Sequence, residues 1–191
     1  MFARLTNRFE TPLYTNISGL ESFAGLDGKG VYHNKIWSPD IDAIYSVVPK
    51  QYKDDFYLTL MTINSVLLPH VDNDLVTTIN FYIKTTKCRT VFYRAKDNST
   101  YHQLENVITR PKSRLEEDQE VAYVKAVYDL DDVEEIDSFI AEEGEAWLLD
   151  VSQIHNVIPV EEFAVRKAIA LRTKKYTYND VYQMLKETNN I

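Results

Sequence analysis

The sequence predicts a mainly β fold with flanking helices, of the jelly-roll sandwich or barrel type. Three observations lead there. From residue 56 to residue 173 short runs rich in Val, Ile, Thr, Tyr and Phe alternate with polar or Gly- and Pro-containing turns, about seven or eight in all. Helices are expected chiefly at the two ends of the chain, unlike a βαβ protein, whose strands alternate with helices. No GxGxxG, GxxxxGK[ST] or GxSxG motif occurs, so nucleotide-binding α/β folds and α/β-hydrolases have no support.

Residues 1–37 mix aromatics with Gly19, Gly25, Gly28 and Gly30 and read as irregular structure with short strands. Ser38-Pro39-Asp40 is a helix start, with Ser38 as cap and Pro39 in the first turn. Ile41, Ile44, Tyr45 and Val48 follow at helical spacing, and Pro49 ends the run. Phe56–Leu68 reads as a strand broken by Pro69, followed by strands Val76–Thr85 and Thr90–Ala95 joined by a polar turn at Lys84–Lys87. Residues 96–120 carry loop signals at Asn98-Ser99 and Arg110-Pro111. Val121–Tyr128 is β-like; Val133, Ile136, Phe139 and Ile140 have helical spacing in an acidic segment that Gly144 ends. Strands Glu145–Val151, His155–Val160 and Val165–Thr173 follow. Thr177-Tyr178-Asn179-Asp180 resembles a capping box opening a helix whose one face is Tyr178, Val181, Tyr182 and Leu185. The expected organisation is a single domain over 1–191: an N-terminal helical or irregular support (1–55), a jelly-roll core (56–173) and a C-terminal helix (177–188).

The 191 residues suffice for one sizeable core, and a 45% hydrophobic content is that of an ordinary globular protein. No run approaches the ~20 apolar residues of a membrane span, and Met1–Arg8 lacks the apolar core of a signal peptide. Cys88 is the single cysteine, so no internal disulfide forms, which agrees with a reducing, cytoplasmic setting. The net charge is −8, unevenly spread: residues 116–145 hold 13 acids against Lys125, a net of −12, and the rest of the chain carries +4. This balance disfavours nonspecific nucleic-acid binding without excluding it.

The chemistry concentrates in His70-Val71-Asp72, in His155, 85 residues on, and in Arg166, 11 further. In a strand, residues i and i+2 point to one side, so His70 and Asp72 project together. Two imidazoles and a carboxylate occupy one face of an octahedral ion and leave the other open, a set suited to Fe(II) in non-haem oxygenases. The same parity turns Thr78, Asn80 and Tyr82 inward and Ile79, Phe81 and Ile83 outward. Arg166, Ala168 and Ala170 share a side, and the two alanines leave room beside the guanidinium. A bland alternative stands beside each residue: HxD arises by chance, and a strand tyrosine is commonly a packed aromatic. His33 and His102 read as surface or structural, Trp37 and Trp147 as core, and Cys88 as a small packed hydrophobe. Arg89, Arg94, Lys96 and Arg110 form either a basic patch or a solvated surface.

In Pro69-His70-Val71-Asp72, Thr78-Ile79-Asn80-Phe81-Tyr82-Ile83, Gly144–Asp150, His155–Val160 and Val165–Leu171, the chain resembles the Fe(II)- and 2-oxoglutarate-dependent oxygenases, especially their small prolyl-hydroxylase-like branch from microbes and viruses. The resemblance spans residues 56–173 and implies a double-stranded β-helix, the cupin-like form of the jelly roll. It implies that His70, Asp72 and His155 ligate Fe(II), that Arg166 pairs with the distal carboxylate of 2-oxoglutarate, and that the Tyr82 phenol also contacts that carboxylate. The implied reaction consumes O2, releases succinate and CO2, and hydroxylates a C–H bond of a proline-like peptidyl side chain or of a small molecule. Asp72 argues against halogenation, since halogenases of this kind have a small residue there. Two features depart from the pattern: Ala168 stands where many relatives have Ser or Thr as a further carboxylate contact, for which Tyr82 or Thr78 would compensate, and the interval before His155 is long enough to hold a lid or substrate wall. Two rival readings are a nucleobase-modifying oxygenase of the same fold and a non-catalytic jelly-roll binding or structural protein.

Overall fold

The computed structural model describes residues 1–9, 18–24, 30–35, 44–63, 67–72, 75–111, 118–161 and 166–191. Its strands are β1 (Phe2–Arg4), β2 (Ser18–Ala24), β3 (Gly30–Lys35), β4 (Tyr57–Ile63), β5 (His70–Asp72), β6 (Thr77–Thr85), β7 (Cys88–Ala95), β8 (Tyr101–Pro111), β9 (Asp118–Tyr128), β10 (Val133–Ile140), β11 (Ala146–Asp150), β12 (His155–Pro159) and β13 (Arg166–Thr173). Helix α1 (Tyr178–Glu187) follows. One sheet has the order β1-β11-β6-β13-β4-β3-β2 and the other β10-β7-β12-β5-β9-β8. From β4 to β7, and again from β11 to β13, the chain changes sheet at every step. That antiparallel winding is the jelly roll the strand pattern predicts.

The parity read from the sequence sorts the residues into layers. Between the sheets lie Tyr57, Met61 and Ile63 of β4, Tyr82 of β6, Cys88 and Phe92 of β7, Val157 of β12 and Ala168 of β13. Behind the first sheet, Ile79 and Phe81 of β6 and Ile169 and Leu171 of β13 pack against Val181, Met184 and Leu185 of α1 and against Ile44, Tyr45, Val47 and Val48. At roughly 25 cal/mol per Å² of apolar area, these two layers supply most of the drive to fold. The capping box is present: the Asp180 N–H donates to Thr177 Oγ1, and the Thr177 N–H to Asp180 Oδ2. Residues 44 and 45 are helical, whereas Trp37 and the Ser38–Ile41 helix start lie outside the described residues.

Two segments differ from expectation. Much of 96–120, expected as loop, is β8 and the start of β9, an antiparallel pair in continuous register from Tyr101↔Tyr128 to Pro111↔Asp118. The acidic stretch expected as a helix is the strand β10. A bulge between Glu135 and Asp137 shifts its pairing with β7. Val133 ahead of the bulge packs outside the second sheet with Val91 and Tyr93, whereas Phe139 beyond it packs between the sheets. The parity switch imitates a helical period, yet Ile136 and Ile140 stay 52% and 50% exposed, so no apolar stripe is buried. Cross-strand pairs reinforce the strand: Arg94 with Glu134 at 2.6 Å and Arg89 with Glu135 at 2.9 Å.

An aromatic group fills the β10 flank of the interior. Phe139 stacks on Trp147 at 4.0 Å, and Phe2 lies 4.7 Å from Phe139 and 5.4 Å from Phe92 between ring centroids. Glu145 braces the start of β11. Its carboxylate accepts from Arg4, from the Glu142 N–H and from the Trp147 indole, each at 3.0 Å. Gly144, at φ +82°, takes the left-handed backbone that glycine tolerates. The Gly144 N–H donates to Tyr82 O, and the Tyr82 N–H donates to Glu145 O, so this turn clamps the Tyr82 backbone. Burial pushes the Glu145 carboxyl up, but the Glu142 N–H, the Trp147 indole and Arg4 together outweigh it and hold it below the ordinary glutamate range. A depressed carboxylate stabilises the folded chain above its unfolded pKa, about 4.3, and loses that contribution as pH falls through the folded value. The thermal midpoint of the wild type is therefore expected to drop on acidification through this range, with a smaller acid drop in Glu145→Gln. Glu145→Ala, which strands the indole and amide donors, is expected to cost about 1–3 kcal/mol in denaturant unfolding at pH 7.

Candidate metal centre

Strand β5 is three residues long because Pro69 precedes it and cannot donate to a ladder. It is held by register on both sides: His70 pairs with Val127 of β9 and with His155 of β12. His155 in turn pairs with Phe92 of β7. Directly paired residues face the same side, so both imidazoles point between the sheets, with ring centroids 4.5 Å apart. Asp72, two residues beyond His70, brings its carboxylate to 3.7 Å from His70 Nε2. One ligand atom from each of His70, Asp72 and His155 lies within 4.8 Å of the others. The two histidines are 4% and 8% exposed, and Asp72 is half-buried.

Both rings are oriented by the same local device. His70 Nδ1 lies 2.8 Å from Leu68 O, and His155 Nδ1 lies 2.9 Å from Gln153 O. A carbonyl oxygen only accepts, so each Nδ1–H is the donor, and a ring in its neutral form then presents Nε2 as its acceptor. Two Nε2 atoms and a carboxylate oxygen fit one face of a divalent first-row ion. The donor chemistry and its outer hydrogen bonds are such as could hold a metal ion.

Arg166 opens β13 in the first sheet and reaches across the interior to β7. Its Nη1 donates to Thr90 Oγ1 at 2.7 Å and its Nη2 to Tyr82 Oη at 2.6 Å. The guanidinium carbon sits 4.6 Å from the centroid of the Tyr82 ring. Arg166 is 2% exposed, its Nε–H has no acceptor, and among the described residues no carboxylate pairs with it. A buried charge without a counter-charge is costly. Tyr82 and Thr90, both buried, accept from the guanidinium and so have their own hydroxyl protons left to donate. Such a donor set can bind an anion. Thr90 and Phe92 share a face of β7, and Phe92 is the register partner of His155. The strand position that holds Arg166 and the one paired with His155 are thus one strand step apart, about 7 Å along β7.

All five residues singled out from the sequence face this interior: His70, Asp72 and His155 form one group, and Arg166 and Tyr82 another. Thr90 was missed. Its only signal is parity with Phe92, which means nothing until β7 is known to lie beside β12. Arg172, a second buried guanidinium on the inner face of β13, was also missed; its Nη2 lies 3.7 Å from Met61 Sδ. Thr78 is otherwise engaged, its hydroxyl bonded to Asn80 Oδ1. His102 lies outside the site, 3.7 Å from Asp129. Arg89 and Arg94 pair with β10 acids, and Lys96 Nζ donates to Asp131 O, so these three do not make a free basic patch. Among the described residues no helix is long and apolar enough to cross a membrane.

No protein-family model and no curated protein matches the chain. Among solved structures, a cupin-like protein from Thermotoga maritima is similar at 10% identity and a TM-score of 0.37, over 86% of this chain and 83% of that one. A protein from Shewanella oneidensis is similar at 9% identity and a TM-score of 0.37, over 90% and 87%. Likeness at this level assigns neither a ligand nor a reaction.

One equivalent of Co(II) or Zn(II) is expected to bind in calorimetric titration. His70→Ala, Asp72→Ala or His155→Ala should each weaken it by more than the ~10–100-fold typical of losing an outer hydrogen-bond partner.

Proposed function

We propose that the chain is an Fe(II)- and 2-oxoglutarate-dependent dioxygenase that hydroxylates a C–H bond of a peptidyl side chain or small molecule. One observation carries this reading: the interior that holds the His70, Asp72 and His155 donor atoms also holds, one strand step away, the buried Arg166 guanidinium, with which no carboxylate among the described residues pairs. A ligand that bridges the two must chelate a metal at one end and carry an anion at the other. 2-Oxoglutarate does both.

In this reading His70 and His155 bind Fe(II) through Nε2, and Asp72 supplies the third protein ligand. Fe(II) with 2-oxoglutarate and O2 supplies the oxidising chemistry, with succinate and CO2 released. Arg166 neutralises the distal carboxylate. Of its five N–H groups, two are committed to Thr90 and Tyr82, and the unpartnered Nε–H beside a remaining Nη–H forms a side-on fork for a carboxylate. Tyr82 and Thr90 add one O–H donor each. Thr90 thus supplies the hydroxyl that the resemblance leads one to expect at position 168, where Ala168 instead leaves space. Met61, Phe92, Leu149 and Val157 wall the same interior with apolar surface, which excludes water and strengthens each charged contact.

Anaerobic addition of Fe(II) and then 2-oxoglutarate should give a metal-to-ligand charge-transfer band. His70→Ala or Asp72→Ala should abolish it. Arg166→Gln should keep the band at saturation but weaken 2-oxoglutarate binding by roughly 100-fold or more, the usual effect of removing one partner of a buried charge pair. Unchanged affinity in that variant would sink the reading. Substrate-stimulated succinate release across peptides, metabolites and nucleobases would then name the substrate.

A further inference from the structure

Strand β7 turns Cys88, Thr90 and Phe92 to the interior, and these residues mark successive depths along one line. Phe92 lies beside the metal centre, its ring 6.0 Å from that of His155. Thr90 holds Arg166. Cys88 stands one further step from the histidines, about 7 Å beyond Thr90. It is 3% exposed, and its Sγ lies 3.7 Å from Thr86 O. Burial pushes the thiol up, and the Arg166 guanidinium, close enough to act on it, pulls the other way without prevailing. Cys88 is therefore a neutral packing group beside Arg166 rather than a nucleophile. Ile63, the β4 register partner of Arg166, is buried against the same region.

We infer that Cys88, with Ile63, forms the closed end of the acid pocket and sets the chain length of the oxo-diacid that fits between the metal centre and Arg166. The inference rests on the reading of Arg166 as the carboxylate anchor. A ligand fixed at both ends must match the single strand step between Phe92 and Thr90. A shorter diacid fails to reach the guanidinium. A longer one pushes its terminal carboxylate past Thr90 into the space the thiol fills. Truncating Cys88 opens about one atom's volume there, room for one more methylene.

The test is calorimetric titration of the anaerobic Fe(II)-loaded chain with oxaloacetate, 2-oxoglutarate and 2-oxoadipate, which have four, five and six carbons. The wild type should prefer five carbons. Cys88→Ala should shift the six-to-five affinity ratio toward six by roughly tenfold, the discrimination one methylene supports, and the near-isosteric Cys88→Ser should leave it in place. Should Cys88→Ala fail to fold, Cys88→Val should move the ratio toward the four-carbon acid. Arg166-dependent binding with the same length ranking in every folded Cys88 variant overturns this inference alone. Binding of no oxo-acid, or equal binding to Arg166→Gln, removes the functional reading and this inference together.

Discussion

The site depends on one backbone constraint, the register of β12. His155 is the residue at which β12 pairs with β7 on one side and β5 on the other. Slip that register by one residue and the imidazole turns out of the interior, because side chains alternate along a strand. The β5 contact with β12 is a single pair, so the second sheet has little other means of fixing where His70 stands relative to His155. Strand β9 supports it on the other side through three paired residues, and the Asp72 N–H donates to Val151 O. The donor group is thus a product of sheet order, assembled from segments far apart in the chain.

The same logic extends to Arg166. Its side chain spans the gap between the sheets and ends on a threonine of the opposite one. Such a contact ties the spacing of the sheets to the position of a charge. The alanines that follow it on β13 keep the inner face low, and Tyr82, clamped through its backbone by the Gly144 turn, lies under the guanidinium plane. The outer face of the first sheet packs against α1 and Val47–Val48, which backs β6 and β13 behind this geometry.

Much of this was legible in the sequence because it rests on local periodicity. The inner and outer sets of β6 and β13 follow from alternation alone, and the capping box at Thr177 is written in four consecutive residues. The failures share one cause: they depend on partners. Strand β10 read as a helix because a bulge at Ile136 breaks the alternation, and only the β7 cations that pair with Glu134 and Glu135 reveal a strand. Strand β8 read as a loop because its polar composition is compatible with an edge position, where one neighbour suffices. Thr90 carries no chemical signature of its own; its role exists only through Arg166, 76 residues away. Of the uneven charge, part is explained by the same pairing, since acids of β10 neutralise cations of β7.

Each imidazole is steered by a carbonyl two residues upstream on its own segment. The rings' orientation is therefore set by the chain's own backbone, and nothing in the donor set is peculiar to iron. Nitrogen and oxygen donors of this type follow the general stability series, in which copper and zinc outrank ferrous ion. Were such a group to hold an ion in a cell, supply and exchange would weigh beside geometry in deciding which element occupies it, and a preparation could carry a tightly held but inert ion while every ligand is intact.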